Sequence, residues 1–298
     1  MSKVVSLLFA GISLGSIYAL IALGFAIVYK ATRIVNFAQA GFILLGAYVV
    51  SLMAASYDWN YWLALFAGCC LLVCVAIVSE RFLVRPIRHQ PLIVVVIMTI
   101  AIDLLIRTDV TRRIGVGILP TGDPWGTATL VLGPITVPAA RLVAMAVVLV
   151  VMTTFFVWFK YSVWGVALRA ASENAVTAGH MGIGLGAVSA ITWGIAGALG
   201  ALGGAFLVLV PSPGVEAGVA NTALRALPAV VLGGMDSTGG AVAGAVVIGV
   251  AEAFAQGYAT DIRFLGRGFS GVIAYVVMIG VLLIRPSGLF GSVEVSRL

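Results

Sequence analysis

Long apolar runs recur along the whole chain, and they restrict the folds that it can adopt. The first run, SLLFAGISLGSIYALIALGFAIVY at residues 6–29, contains no charged side chain. A helix of about 17 to 25 apolar residues crosses roughly 30 Å of hydrocarbon, where only helices and closed barrels satisfy every backbone polar group. Of the 298 residues, 62% are hydrophobic and 9% are charged, which leaves no room for a separate soluble domain. The sequence therefore predicts an all-α polytopic membrane protein with a single transmembrane domain over residues 1–298.

Most of these runs are predicted to be regular membrane spans, and one further region is irregular. The predicted spans lie near residues 6–29, 36–55, 61–79, 91–107, 141–159, 186–210 and 269–285. Residues 224–257 contain two apolar stretches that a glycine-rich break separates, and Pro228 interrupts the first stretch. This pattern indicates a re-entrant or half-length helix followed by a full span, which requires burial against protein. We expect about 8 to 9 transmembrane helices in total.

Three of the apolar segments carry small residues at four-residue spacing. These ladders are Gly11, Gly15 and Ala19; Gly197, Ala201 and Ala205; and Ala245, Gly249, Ala253 and Gly257. Residues four apart lie on one face of a helix, and small side chains on that face let two backbones approach closely. The ladders therefore predict a compact bundle, with a second membrane subunit as a further packing partner.

The long polar connection lies between Arg107 and Arg141. Within it, TATLVLGPITVP places Gly133 and Pro134 between two short runs of alternating apolar and polar residues. Alternation on both sides of a Gly-Pro break is typical of two strands joined by a turn. We expect a small hairpin at the membrane surface.

Few residues are suited to catalysis. The two histidines, His89 and His180, lie in predicted loops, and the sequence contains neither HExxH nor GxSxG. The lysines are followed by Val4, Ala31 and Tyr161, whereas a Walker A loop requires Ser or Thr after its Lys. The cysteines share one apolar run without other ligands at suitable spacing, which favours packing over metal binding. We expect no enzyme activity, metal or cofactor, and any pumping must use a partner ATPase or an ion gradient.

The net charge of +6 does not indicate a nucleic-acid partner. The basic residues are scattered over short loops without interleaved aromatic side chains, so membrane lipid headgroups are the expected partner. Because these residues divide almost evenly between alternate loops, the positive-inside rule does not orient the chain.

Two acidic residues lie inside predicted spans, where ionisable groups are costly. Asp103 precedes Arg107 by four residues, and this spacing favours an ion pair. Glu252 shares a helix face with Gly249 and Gln256, so we expect it to point into the bundle. A hydrogen bond between helices and a place on a substrate path are both open for Glu252.

The loop at residues 160–183 is the most informative connection. Polar and small residues alternate there in a pattern typical of a short helix lying along the membrane. Its segment RAASENAVTAGHMGI resembles the cytoplasmic coupling loop of ATP-binding cassette (ABC) importer permeases, in the version found in the family of branched-chain amino acid permeases. The matching positions are Arg169, Ala170, Glu173, Ala178, Gly182 and Ile183.

The resemblance extends over nearly the whole chain. It includes GSIYALIALGFAIVYKATRIVNFAQAGFILLGAY, LRALPAVVLGGMDSTGGAVAGAVVIGVAEAF and IRPSGLFG. It implies the ABC importer permease fold, with Glu173 as a polar anchor for an ATPase on a cytoplasmic loop. It also implies a multi-pass protein of the bacterial inner (plasma) membrane, with an external N-terminus and a cytoplasmic C-terminus.

The same resemblance implies partners and a substrate class. The partners are two ATP-binding subunits, a second homologous permease subunit and an external or periplasmic substrate-binding protein. The substrates are leucine, isoleucine and valine, whose path needs an apolar lining with a few amides or hydroxyls. The candidate path residues are Ser13, Ser16, Tyr18, Asn36, Gln39 and Glu252. Hydrogen bonding between helices is an equal alternative for each of them.

Other functions stay open on these residues. An ABC permease for urea, amides or another small solute would share most of these features. The interrupted segment at 224–257 gives some support to an ion-coupled secondary transporter. A passive channel would function as a homo-oligomer without an ATPase.

One position departs from the family pattern. Family members usually have Asn-Phe-Ala, then Gln or His, then Gly-Glu, whereas this chain continues from Gln39 to Ala40 and Gly41. The carboxylate is missing. A role of that acid in gating or substrate contact therefore cannot be transferred to this chain.

Overall fold

The computed structural model describes residues 2–115, 117–132, 135–209, 214–258 and 270–291. The helices are α1 (Ser2–Thr32), α2 (Ala38–Ser51), α3 (Tyr61–Ser79), α4 (Leu92–Ile114), α5 (Ala139–Tyr161), α6 (Val163–Glu173), α7 (Ala175–His180), α8 (Leu185–Leu207), α9 (Val219–Leu224), α10 (Ala226–Gly233), α11 (Thr238–Tyr258) and α12 (Ser270–Ile284). The strands are β1 (Thr129–Leu132) and β2 (Ile135–Pro138). A π-helical turn, Leu52–Ser56, extends α2, and α3 is extended by Glu80–Val84 and the 3-10 turn Arg85–Ile87.

Six of the described helical segments are long and apolar enough to cross a membrane. They are Lys3–Thr32, Ala38–Ser56, Tyr61–Ile87, Ala139–Tyr161, Leu185–Leu207 and Thr238–Tyr258. Two shorter apolar segments, Val219–Gly233 and Gly271–Ile284, accompany them. These helices confirm the prediction of an all-α, multi-pass membrane protein.

The helix predicted at residues 91–107 is present but longer than predicted. Helix α4 starts at Leu92 but continues past residue 107 to Ile114, and its second half carries five charged side chains. Charged groups are costly inside hydrocarbon. The uncharged part of α4 is therefore too short to place this helix among the six apolar segments.

Helix α1 occupies the centre of the bundle. Every residue from Ile17 to Val28 is buried, and α1 packs against α5, α8, α10 and α11. A helix that is apolar on all sides is stable in such a position because its neighbours cover every face.

Glycines set the distance between α1 and α11. A Cβ atom added to Gly11 would lie 2.6 Å from Cα of Val250, and one added to Gly15 would lie 2.7 Å from Cα of Val246. On α11, a Cβ atom added to Gly249 would overlap the backbone of Gly15. Two of the predicted ladders therefore face each other, as close helix packing in lipid requires.

The ladder on α8 packs against α2 and α3. A Cβ atom added to Gly197 would lie 2.5 Å from the carbonyl oxygen of Leu72 on α3. On the other side, a Cβ atom added to Gly46 of α2 would lie 2.5 Å from Cα of Ala201. The three predicted ladders thus lie at close helix contacts of the bundle.

The interrupted region folds as the short helices α9 and α10 followed by the full-length α11. Most residues of α10 are buried, including Pro228, and α10 packs against α1, α11 and α12. Gly234 follows α10 with a φ of +102°, a conformation that glycine adopts without steric cost. The predicted half-length helix and full span are both confirmed.

The predicted hairpin is also present. Strands β1 and β2 pair in antiparallel register, with Thr129 opposite Pro138, while Gly133 and Pro134 lie outside the described residues. The ring of Trp125, which precedes the hairpin, packs edge-on against Tyr61 of α3 at a centroid distance of 5.2 Å. The polar connection is thereby attached to the start of α3.

We expect Gly249→Ala to destabilise the bundle, because the added Cβ atom overlaps the backbone of Gly15 and α1 and α11 must separate to accommodate it. Overpacking of this kind costs about 1 to 3 kcal/mol, which a lower midpoint of thermal unfolding in detergent would report. Gly280→Ala on α12 is the matched control, since its added Cβ atom meets nothing within 4 Å. Equal midpoints for the two variants would contradict the assigned role of Gly249.

Candidate functional site

Helices α6 and α7 form a surface unit between α5 and α8, named here the coupling element. The hydroxyl oxygen of Ser162 starts α6 by accepting a hydrogen bond from the backbone N–H of Gly165 at 2.9 Å. Arg169 donates to the backbone carbonyl oxygens of Phe159 and Lys160, which have no partner within α5 because they lie in its last turn. Helix α6 is therefore fixed to the end of α5.

Helix α7 is capped at both ends. Oδ1 of Asn174 accepts a hydrogen bond from the backbone N–H of Thr177 at 2.9 Å. At the other end Gly182 has a φ of +84°, and the N–H of Ile183 donates to the carbonyl oxygen of Ala178 at 3.0 Å. A left-handed glycine followed by such a bond is a common helix terminus. Ala178, Gly182 and Ile183, predicted from the resemblance, thus determine where α7 ends.

The outer face of the coupling element is exposed and partly apolar. Val163 and Val176 are 83% and 69% exposed, and Glu173 is exposed without a hydrogen bond or ion pair in the described part of the chain. On the inner side, the guanidinium of Arg33 donates to the backbone oxygen of Ser172 at 3.0 Å. Exposed apolar side chains on a firmly held element are typical of a protein contact surface.

A polar cluster lies inside the bundle around Glu252 of α11. Glu252 is 4% exposed, and its carboxylate accepts a hydrogen bond of 2.7 Å from the hydroxyl of Tyr18. The guanidinium of Arg225, between α9 and α10, donates to the other carboxylate oxygen, also at 2.7 Å. These contacts confirm that Glu252 points into the bundle. They offset much of the cost of removing its carboxylate from water.

This cluster borders a cavity of about 110 Å³. The cavity is lined by Ala10, Leu14, Tyr18, Arg141, Leu207, Thr222, Arg225, Glu252, Ala253 and Gln256. A few polar groups among apolar side chains are typical of small-molecule sites. The sequence analysis missed Arg141 and Arg225. The sequence does contain a signal for Arg225. A basic residue between two apolar stretches is as costly in a membrane as the acidic residues Asp103 and Glu252.

Asn36 and Gln39 lie away from this cavity and are fully buried. Oδ1 of Asn36 accepts a hydrogen bond from the backbone N–H of Ala38 at 3.1 Å at the start of α2. The side-chain amide of Gln39 donates to the backbone oxygen of Ala196 on α8 at 2.9 Å. In this conformation one amide caps a helix and the other links two helices.

Ser13 and Ser16 of α1 also lie outside the cavity lining. The hydroxyl of Ser16 donates to the backbone oxygen of Ser13 at 2.7 Å. The hydroxyl of Ser13 is buried and has no hydrogen-bond partner among the described residues. Of the candidate path residues, the structure brings Tyr18 and Glu252 together and leaves the others apart.

Asp103 of α4 lies against Gly41, the position at which the usual acid is missing. A Cβ atom added to Gly41 would lie 3.0 Å from Oδ1 of Asp103. Arg107 donates from Nε to the Asp103 carboxylate at 2.9 Å, which confirms the predicted pair, and from Nη1 to Oδ1 of Asn221 at 3.0 Å. A carboxylate from a neighbouring helix therefore occupies this place and is linked to α9.

Comparison with known proteins finds that residues 7–282 match the family described as branched-chain amino acid transport system / permease component. The high-affinity branched-chain amino acid transport system permease protein LivH of Salmonella typhimurium is 30% identical, over 97% of this chain and 96% of its own. The corresponding protein BraD of Pseudomonas aeruginosa is 29% identical, over 96% and 95%. Among solved structures, PsaBC from Streptococcus pneumoniae in complex with Fab has a similar fold. The TM-score is 0.50 at 12% sequence identity, and the match covers 95% of this chain and 91% of that chain.

We expect Gly41→Glu to destabilise the protein, because a second carboxylate would lie beside Asp103. Adding Asp103→Asn should restore stability, since Arg107 can then pair with the introduced carboxylate. Thermal unfolding of the single and double variants forms a double-mutant cycle, for which we expect a coupling energy of about 0.5 to 3 kcal/mol. Gly41→Gln controls for size. An additive cycle would show that the two positions do not interact.

Proposed function

Because this chain belongs to the family of permease components of branched-chain amino acid transport systems, we propose that it forms the membrane path of an ATP-driven importer for leucine, isoleucine and valine. In this proposal a second homologous permease completes the path. Two ATP-binding subunits supply the energy, and an external or periplasmic substrate-binding protein delivers the amino acid. The protein resides in the bacterial inner membrane, with the coupling element on the cytoplasmic side.

The observation that carries this proposal is the construction of the coupling element. Arg169 ties α6 to α5, and Arg33 ties it to the end of α1. A force applied to its exposed face is therefore passed to two spans without first bending a loop. Nucleotide-driven closure of the ATP-binding subunits would act on this face and tilt the helices, so that the path opens alternately to the two sides.

The proposed path runs beside Tyr18 and Glu252, the candidate residues that line a cavity. The apolar part of the lining suits an aliphatic side chain, and the polar part suits the backbone groups of an amino acid. Away from the cavity, Ser16, Asn36 and Gln39 form hydrogen bonds within or between helices, and the Ser13 hydroxyl has no partner among the described residues. The proposal for the path therefore rests on the Glu252 cluster.

Reconstitution tests the function directly. The chain is purified with its partner permease and ATP-binding subunits, placed in lipid vesicles, and supplied with the binding protein and labelled leucine. We expect uptake that requires ATP and is inhibited by isoleucine and valine but not by urea. Flux without ATP would indicate a channel, uptake driven by an ion gradient would indicate a secondary transporter, and inhibition by urea would indicate a different solute class.

The coupling element provides a more specific prediction. Glu173→Arg should abolish or strongly weaken association with the ATP-binding subunits while leaving the thermal midpoint of the isolated permease unchanged, because Glu173 is exposed. Co-purification of the subunits measures the association. Glu216→Arg is the matched charge reversal, since Glu216 is also exposed but lies between α8 and α9, outside the coupling element. Unchanged association for Glu173→Arg would remove this residue from the contact.

A further inference from the structure

The cavity beside Glu252 contains a cation, Arg141, that has no counter-ion within the described ranges of the chain. Glu252 is paired with Arg225 at 2.7 Å. Arg141, the third charged residue of the lining, forms no ion pair among the described residues, and its Nε atom is buried without a hydrogen-bond partner. A buried guanidinium nitrogen without a partner is costly. The lining of the cavity therefore carries one more positive charge than negative charge.

Arg141 does not stabilise helix α5. The residue lies in the first turn of α5, which begins at Ala139. A positive charge near a helix N-terminus is opposed by the helix dipole. Arg141 therefore destabilises its own helix slightly, and it supplies the net positive charge of the cavity lining, because Arg225 is paired with Glu252. Both effects favour an anionic group of a ligand.

The remaining lining can accept the other parts of an amino acid. The Glu252 carboxylate already accepts hydrogen bonds from Tyr18 and Arg225, but a carboxylate has about four acceptor positions. An ammonium group can therefore also donate to it. Leu14 and Leu207 provide apolar surface in the same cavity, which suits an aliphatic side chain.

We propose that this cavity is a binding site for a zwitterion with an aliphatic side chain, in which Arg141 binds the carboxylate and Glu252 accepts hydrogen bonds from the ammonium group. The proposal rests on the proposed import function and assigns it a position in the bundle, between α1, α5, α8, α9 and α11. Arg141 then distinguishes α-amino acids from solutes that lack a carboxylate, because it binds the group common to all α-amino acids.

The test compares Arg141→Gln, Arg141→Lys and the control Arg112→Gln in the reconstituted complex. Arg112 has a side chain that is 77% exposed and lies on α4, outside the cavity. Loss of a hydrogen bond to a charged group predicts that Arg141→Gln lowers leucine uptake about 10- to 100-fold. Arg141→Lys should retain part of the uptake, and Arg112→Gln should retain all of it.

Stability separates a binding role from a structural one. Arg141 is half-buried and its buried Nε atom has no partner among the described residues, so Arg141→Gln should leave the thermal midpoint unchanged or raise it, although uptake falls. A lower midpoint together with lower uptake would make Arg141 a structural residue and overturn the proposal. Unchanged uptake in Arg141→Gln would overturn it as well. If the wild-type complex imports no leucine at all, the proposed function itself is wrong.

Ligand competition identifies the group that Arg141 binds. Labelled leucine is bound to the complex without the binding protein, and leucinamide, which lacks the carboxylate, is the competitor. The preference for leucine over leucinamide should disappear in Arg141→Gln. The measurement is repeated in phosphatidylcholine vesicles with and without phosphatidylglycerol. If Arg141→Gln removes only a dependence on phosphatidylglycerol and leaves leucine binding intact, the cavity holds a lipid headgroup and the proposal is wrong.

Discussion

The close approach of α1 and α11 is the contact on which the rest of the bundle depends. Gly11, Gly15 and Gly249 bring the two backbones together, and this distance lets the hydroxyl of Tyr18 on α1 reach Glu252 on α11. Apolar side chains gain little free energy by leaving lipid for a neighbouring helix, so close backbone packing and polar contacts hold the helices together. The glycines that allow the packing also position the polar cluster.

Polar groups inside the bundle differ in how many hydrogen-bond and ion-pair partners they have, and this difference helps to distinguish a binding site from helix packing. Asp103 is paired with Arg107 and Glu252 has two partners. Gln39 donates to Ala196, but its Oε1 atom has no partner among the described residues. Arg141 faces a cavity and has no counter-ion in the part of the chain that the structure describes. A membrane protein tolerates such a cost where a ligand or a conformational change compensates for it. The imbalance around Arg141 is therefore the feature that most separates a binding site from helix packing.

Helix α1 connects the two regions to which we assign function. It contributes Tyr18 to the cluster at the cavity, and Arg33, directly after its last turn, holds the coupling element through Ser172. A continuous helix transmits a tilt along its whole length, because its backbone hydrogen bonds resist bending at any single residue. Movement of the coupling element can therefore change the environment of Glu252 without a separate chain of contacts.

The sequence by itself determined the fold class, the half-length helix, the hairpin and the ladders. Each of these follows from local properties, namely the length of apolar runs and the positions of Gly and Pro, whereas the coupling role of residues 160–183 was implied by the family resemblance. Tertiary structure decided which polar residues meet. It separated Asn36 and Gln39 from the cavity, joined Arg225 to Glu252, and placed Asp103 against Gly41. The reason is physical: a helix face is encoded by residues three or four apart, whereas its partner depends on how distant helices pack around it.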